Sequence, residues 1–136
     1  MRVVLDTNIL ISALISPEGN PAAIYDAWED GKFTLLSCAE HLDELRATLQ
    51  KSRIADLIKP YRAGRLVNQI KRLAEDIGRL PSAKRSPDPN DDFLLALSQA
   101  GNADYLVTGD KSGLLSLRRH KTTQIVSASK FAALFA

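Results

Sequence analysis

Asp6, Glu44, the pair Asp91 and Asp92, and Asp110 are the acids of this chain whose settings suit them to work together. Asp6 ends the apolar opening of "VVLDTNILISAL", and Asp110 ends "DYLVTGD". Glu44 lies on the edge of the amphipathic stretch "AEHLDELRATLQK", and the Asp91–Asp92 pair opens the apolar stretch "FLLALSQAG". Each has an ordinary explanation taken alone, because Asp caps helices and makes side-chain turns, and a Glu on an amphipathic helix is usually solvated. What those explanations do not predict is that acids at two strand ends, a helix edge and a helix start could converge on one cleft in a parallel α/β layout. Carboxylates gathered there repel, by up to about 4 kcal/mol per close pair at an effective dielectric of about 20, and call for a cation. Oxygen donors suit Mg²⁺ or Mn²⁺. A metal held by a few carboxylates, with coordination positions left open, activates water against a phosphodiester, so hydrolysis of nucleic acid is the natural chemistry.

The elements that must carry these acids are legible in the hydropathy. "RVVL" (2–5) is apolar at consecutive positions, the pattern of a strand buried on both faces in a parallel sheet. Asn20 is placed to cap a helix with Pro21 in its first turn and Ile24, Ala27 and Trp28 on one face, stopped by Gly31. "FTLLS" (33–37) reads as the second strand, and Leu42, Leu45 and Leu49 make the inward stripe of the next helix. After Pro60 a long helix is expected from Leu66, Ile70, Leu73 and Ile77, and this basic helical pair, with no strand in it, reads as an insertion or arm at about 46–80. "PSAKRSPDPNDD" (81–92) reads as a loop; "DYLVTGD" (104–110) and "QIVS" supply further strands, and "ASKFAALF" a final helix. Strands alternating with helices predict an α/β domain with a mainly parallel sheet, whose ligands bind beyond the carboxyl ends of the strands, where Asp6 and Asp110 stand.

The 136 residues fit one domain, long enough to bury roughly two thirds of the surface of the unfolded chain. A single cysteine, Cys38, excludes an intramolecular disulfide, and the N-terminal apolar run is broken at Asp6, so neither a signal peptide nor a membrane span is expected and a cytoplasmic protein is. The net charge of +2 conceals an uneven distribution. Residues 46–85 hold 11 Lys plus Arg against three acids, net +8, while the remainder holds 7 against 13, net −6. Such a run is either a solvated helical face or a phosphate-binding surface. Nucleotide-binding fingerprints are missing, since neither a Lys-tipped phosphate loop nor GxGxxG follows the first strand. "DPNDD" fails as a calcium loop because Phe93 stands where glycine is needed and Gln99 where a bidentate Glu belongs. Cys38 with His41 or His120 makes a poor nucleophile pair, and Cys38, Trp28 and Phe33 read as core.

Taken in order, "VVLDTNILISAL", "LLSCAEHLDELRATL" and "DPNDDFLLALSQAGNADYLVTGD" resemble a PIN domain, and the resemblance covers nearly the whole chain. It is nearest to the branch of toxin components of toxin-antitoxin systems, the VapC-like ribonucleases. That likeness implies a PIN-like three-layer α/β sandwich, with a central, mainly parallel sheet flanked by helices, and an acidic quartet that binds Mg²⁺ or Mn²⁺. The quartet maps onto Asp6, Glu44, Asp92 and Asp110, with Thr108 at the family's hydroxyl position and Asn8 supporting the first acid. A spacing of 18 residues from the helix acid to the acid after the next strand, 110 minus 92, assigns Asp92 and leaves Asp91 as a helix cap, with Asp88 an outer contact. The function implied is an endoribonuclease toxin of a type II pair, inhibited by a cognate antitoxin protein, with a homodimer allowed. Arg53, Lys59, Arg62, Arg65, Lys71 and Arg72 are the candidates to grip RNA phosphates. The rival readings are a PIN-like protein-binding module without cleavage and a DNA nuclease.

Overall fold

The computed structural model describes residues 1–110 and 112–136. Strand β1 (Arg2–Leu5) leads into helices α1 (Thr7–Ile15) and α2 (Asn20–Glu29), then strand β2 (Thr34–Ser37). Helices α3 (Ala39–Leu49), α4 (Ser52–Ala55) and α5 (Pro60–Leu73) follow, then a two-residue strand β3 (Glu75–Asp76). A 3₁₀ turn at Pro89–Asp91 precedes α6 (Asp92–Ala100) and β4 (Tyr105–Val107), and α7 (Leu114–Leu117), β5 (Arg119–His120), β6 (Thr123–Val126), α8 (Ala128–Ala132) and a second 3₁₀ turn at Ala133–Phe135 follow. The sheet order is β3-β2-β1-β4-β6-β5, parallel throughout except for β5 against β6. This is the three-layer α/β sandwich expected. Among the described residues no helix is long and apolar enough to cross a membrane.

The continuous apolar runs are explained by the two cores that the sheet separates. Val3 and Leu5 of β1, Leu35 of β2, Val107 of β4 and Val126 of β6 face one side, where Leu10, Ile24, Leu45, Leu66 and Phe131 cover them. Val4, Leu36, Leu106 and Ile125, their chain neighbours, face the other, beneath Leu94, Leu95 and Leu97 of α6. Successive strand residues point to opposite faces, so a strand with helices on both sides must be apolar at every position. Strands β1 and β4 are adjacent, and from them the chain order runs outward in both directions. That pair is the topological switch point, where the loops beyond the strands part and leave a crevice.

The basic middle of the chain differs from expectation in two ways. Helix α5 ends at Leu73 rather than continuing to Ile77, because Ala74 turns extended (φ −76°, ψ 150°) and the chain adds an edge strand, pairing Leu36 with Glu75 and Ser37 with Asp76. Arg2 holds that edge through two bonds to Glu75, of 3.0 and 2.5 Å. Leu73 is left 54 % exposed, while Ile77 packs on the α6 side of the sheet. Second, α5 is packed into the domain: Leu66 and Ile70 are buried in the same core as β1 and α3. Leu66→Ala should therefore destabilise the protein by roughly 2–5 kcal/mol in urea unfolding, the cost of a core cavity, whereas a detached arm would tolerate it.

Candidate functional site

Asp6 is the residue at which β1 gives way to α1, and its N–H donates to Val107 O across the switch point (2.9 Å). Its side chain is buried, 6 % exposed, and makes no capping bond to α1. Instead the Thr108 hydroxyl, fully buried just past β4, donates to Asp6 Oδ2 at 2.8 Å. The same hydroxyl accepts the N–H of Asp110 at 3.2 Å, so one oxygen ties the first acid to the backbone of the last. Burial raises the Asp6 carboxyl above its ordinary range; the Thr108 hydroxyl and the main-chain N–H groups of Asn8 and Thr7 oppose that rise, and the Asp110 charge adds to it. Asn8 thus acts through its backbone, while its side chain is exposed.

Glu44 reaches the same place from α3. Thr7 Oγ1 donates to Glu44 Oε2 at 3.0 Å, a bond between the first turn of α1 and the middle of α3. The Glu44 carboxyl is also raised, by partial burial first and then by the charges of Asp6 and Asp88, against the Thr7 hydroxyl and Lys51. Asp110 is held from its other side, Oδ1 accepting the Gly113 N–H at 3.0 Å. A Cβ on Gly113 would overlap the Asp110 carboxylate, so this close approach needs glycine there.

The two adjacent acids at the head of α6 separate. Asp91 stands just before the helix but makes no capping bond. Its carboxyl is pushed up to about 6, by burial and then by Asp6, Asp88, Glu44 and Asp110 in that order. Asp92 instead turns to the preceding loop, where Oδ1 accepts the Ser86 N–H at 2.8 Å. The structure therefore brings Asp6, Glu44, Asp91 and Asp110 into one field, with Asp88 at its margin. It places Asp92, the acid expected from the spacing, as the anchor of the 86–91 loop, and leaves Asp91 without the cap role expected of it. Asp88 itself is exposed and accepts the Asn90 N–H at 3.0 Å.

Thr7, Ser86 and Gly113 were not among the candidates. Thr7 had a signal in its place between Asp6 and Asn8, but its partner lies 37 residues away. Of the expected phosphate contacts, Arg62 donates to Leu14 O at 2.9 Å and Arg65 stands 3.7 Å from Glu29. Arg53, Lys59, Lys71 and Arg72 are exposed, and the cation whose charge Glu44 feels is Lys51. Burial raises the Cys38 thiol to about 11 and lowers His41 to about 4, which removes both as a nucleophile and base pair.

The donor set is all oxygen, and burial together with the neighbouring charges raises the carboxyls of Asp6, Glu44 and Asp91. That is the electrostatic condition a hard divalent cation relieves. Among the described residues, no three His, Cys, Asp or Glu side chains are already grouped tightly enough to chelate one. What the four acids share is their field and their framework, with Asp6 and Glu44 each fixed by a threonine hydroxyl.

The sequence matches the model of the PIN domain family over residues 2–112. No curated protein matches it. The fold is similar to that in the crystal structure of VapBC2 from Rickettsia felis bound to a DNA fragment from their promoter, with a TM-score of 0.58 and 17 % identity over 93 % of this chain and 98 % of that one.

The raised Asp91 carboxyl has a consequence for stability. A carboxyl whose pKa is higher folded than unfolded contributes its full stability below the unfolded value, 3.8, and loses it as pH rises to about 6. With chelator present, Asp91→Asn should melt with wild type near pH 3.5 and a few degrees higher near pH 7, a gap of about the size expected for a partly exposed group. A variant that melts lower at pH 7 would show that Asp91 serves the helix as a cap instead.

Proposed function

The chain belongs to the PIN domain family, and from that membership we propose that it is a divalent-metal-dependent endoribonuclease, the toxin of a type II toxin-antitoxin pair. PIN domains are generally nucleases. The observation that carries the reading is the Asp91 carboxyl, pushed up to about 6 by burial and then by the charges of four other acids around the switch point. Asp6, Asp91 and Asp110 are the proposed ligands of Mg²⁺ or Mn²⁺, and Glu44 completes the site or orients water. When bound, the cation supplies charge neutralisation at the phosphate and acidifies water at neutral pH.

The chain's own residues supply orientation. Thr108 keeps Asp6 ionisable in a buried position by donating to it, and Thr7 does the same for Glu44. Water adds to phosphorus as the bond to the 3′ oxygen breaks, leaving a 5′ phosphate and a 3′ hydroxyl, with no protein nucleophile. Lys51, with Arg53 and Lys59 nearby in the chain, offers charge to the RNA backbone without reading sequence. The similarity to the VapBC2 fold supports a cognate antitoxin as protein partner.

Purified protein is incubated with single-stranded RNA, and with DNA of the same sequence, in chelator, Mg²⁺ or Mn²⁺. RNA alone should be cut, and only with metal. Asp6→Asn and Asp91→Asn should each lower the rate by more than roughly a hundredfold, with Asp92→Asn within about threefold of wild type. Loss of activity in Asp92→Asn with Asp91→Asn intact would reverse the assignment at the head of α6, and no cleavage under any metal would favour a binding module. Gly113→Ala retains every acid but displaces Asp110, and should lower the rate roughly ten- to a hundredfold while raising the metal concentration needed for half-maximal activity.

A further inference from the structure

Helices α3, α4 and α5 enclose an open groove of about 590 Å³ on the far side of α5 from Glu29 and Arg65. Its lining follows one face of α5 from Pro60 to Lys71, roughly 16 Å at the helical rise. Leu49, Ile58, Ala63 and Val67 make an apolar floor. The charged side chains on it are Arg46 and Lys71, with no acid in the lining, and among the described residues neither is in an ion pair. The cleft on the other side of α5 differs, since there Asp26 and Glu29 balance Arg62 and Arg65.

Gly64 sits in the middle of this face. Its backbone is right-handed helix, and an added Cβ would meet nothing within 4 Å. A glycine inside a helix costs about 0.5–1 kcal/mol relative to alanine, and nothing within the chain requires one here. It does leave the backbone of α5 bare along the groove, where a second helix can lie close.

We propose that this groove docks an acidic amphipathic helix of a partner protein. A linear apolar floor about three turns long accepts anchors at i, i+3, i+4 and i+7, and Arg46 and Lys71 select glutamate or aspartate on the flanks. RNA is a poorer occupant, because the floor between the two cations is apolar and without an aromatic ring on which bases could stack. A second copy placed symmetrically would set these same cations against each other. The inference stands apart from the cleavage reading and survives its failure.

The probe is a fluorescent peptide of about 18 residues, leucines on one face and glutamates elsewhere, beside a twin with lysine for glutamate and a single-stranded RNA. Binding is read by anisotropy on the whole chain carrying Asp6→Asn, which leaves the groove untouched. The acidic peptide should bind in the micromolar range, more weakly in high salt, and the lysine twin should not bind. Gly64→Trp, filling the groove, and Arg46→Glu with Lys71→Glu should each weaken it by at least about tenfold, the charge reversal also admitting the lysine twin. The two sets act through different residues, so a folding defect in one, checked by melting, leaves the other to decide. No binding of the acidic peptide, binding indifferent to both sets, or RNA binding that Gly64→Trp abolishes would each overturn the proposal.

Discussion

The hydroxyl of Thr108 is the contact on which the rest of the site depends. It donates to Asp6 and accepts from the backbone of Asp110, so the ends of two neighbouring parallel strands are joined by one oxygen atom. Burying a carboxylate without a donor would cost several kcal/mol or force it to stay protonated. The threonine and two main-chain N–H groups offset part of the cost of burying Asp6, and its position is set by the sheet rather than by a loop. Sites built on regular elements hold their geometry better than sites on loops.

The remaining acids are attached to that centre through other parts of the fold. Glu44 is anchored by Thr7, a residue of the same turn that carries Asp6, and so inherits much of its rigidity. Asp110 depends on the tight turn at Gly113. Asp91 ends the 3₁₀ turn before α6, and the loop leading to it is held by the bond from the Ser86 N–H to Asp92. Asp91, whose carboxyl is raised to about 6 by burial and the neighbouring charges, is carried by the 3₁₀ turn before α6 rather than by the end of a strand.

Charge on the basic middle segment is divided among several tasks. Arg62 closes the end of α1, Arg65 faces Glu29, and Gln69 joins Tyr25 to the same Glu29. These contacts fasten α5 to α1 and α2 while Leu66 and Ile70 fill the core beneath it. Only part of the positive charge counted along the chain is thus left over for a ligand. A net charge over a stretch of sequence says how much charge there is, and the packing around each side chain says which of it is free.

The alternation of apolar runs with amphipathic stretches was enough to establish the parallel α/β plan, because strands covered on both faces must be apolar at consecutive positions. It also placed Asp6 directly beyond the end of β1, and Asp110 three residues beyond the end of β4, since a chain leaving a buried strand emerges at its carboxyl end. The edge strands β3 and β5, two residues each, were invisible because two residues have no periodicity. The stripe from Leu66 to Ile77 showed that α5 has an apolar face without showing what it covers, and the helix stops where that cover ends. The choice between Asp91 and Asp92 belongs wholly to the tertiary structure. Neighbouring residues at a helix start point about 100° apart, and which one faces the other acids depends on how the loop from Ser86 enters α6. The local pattern determined that acids would stand at the switch point, whereas contacts between residues 37 and 102 positions apart, Thr7 to Glu44 and Thr108 to Asp6, decided which atoms meet there.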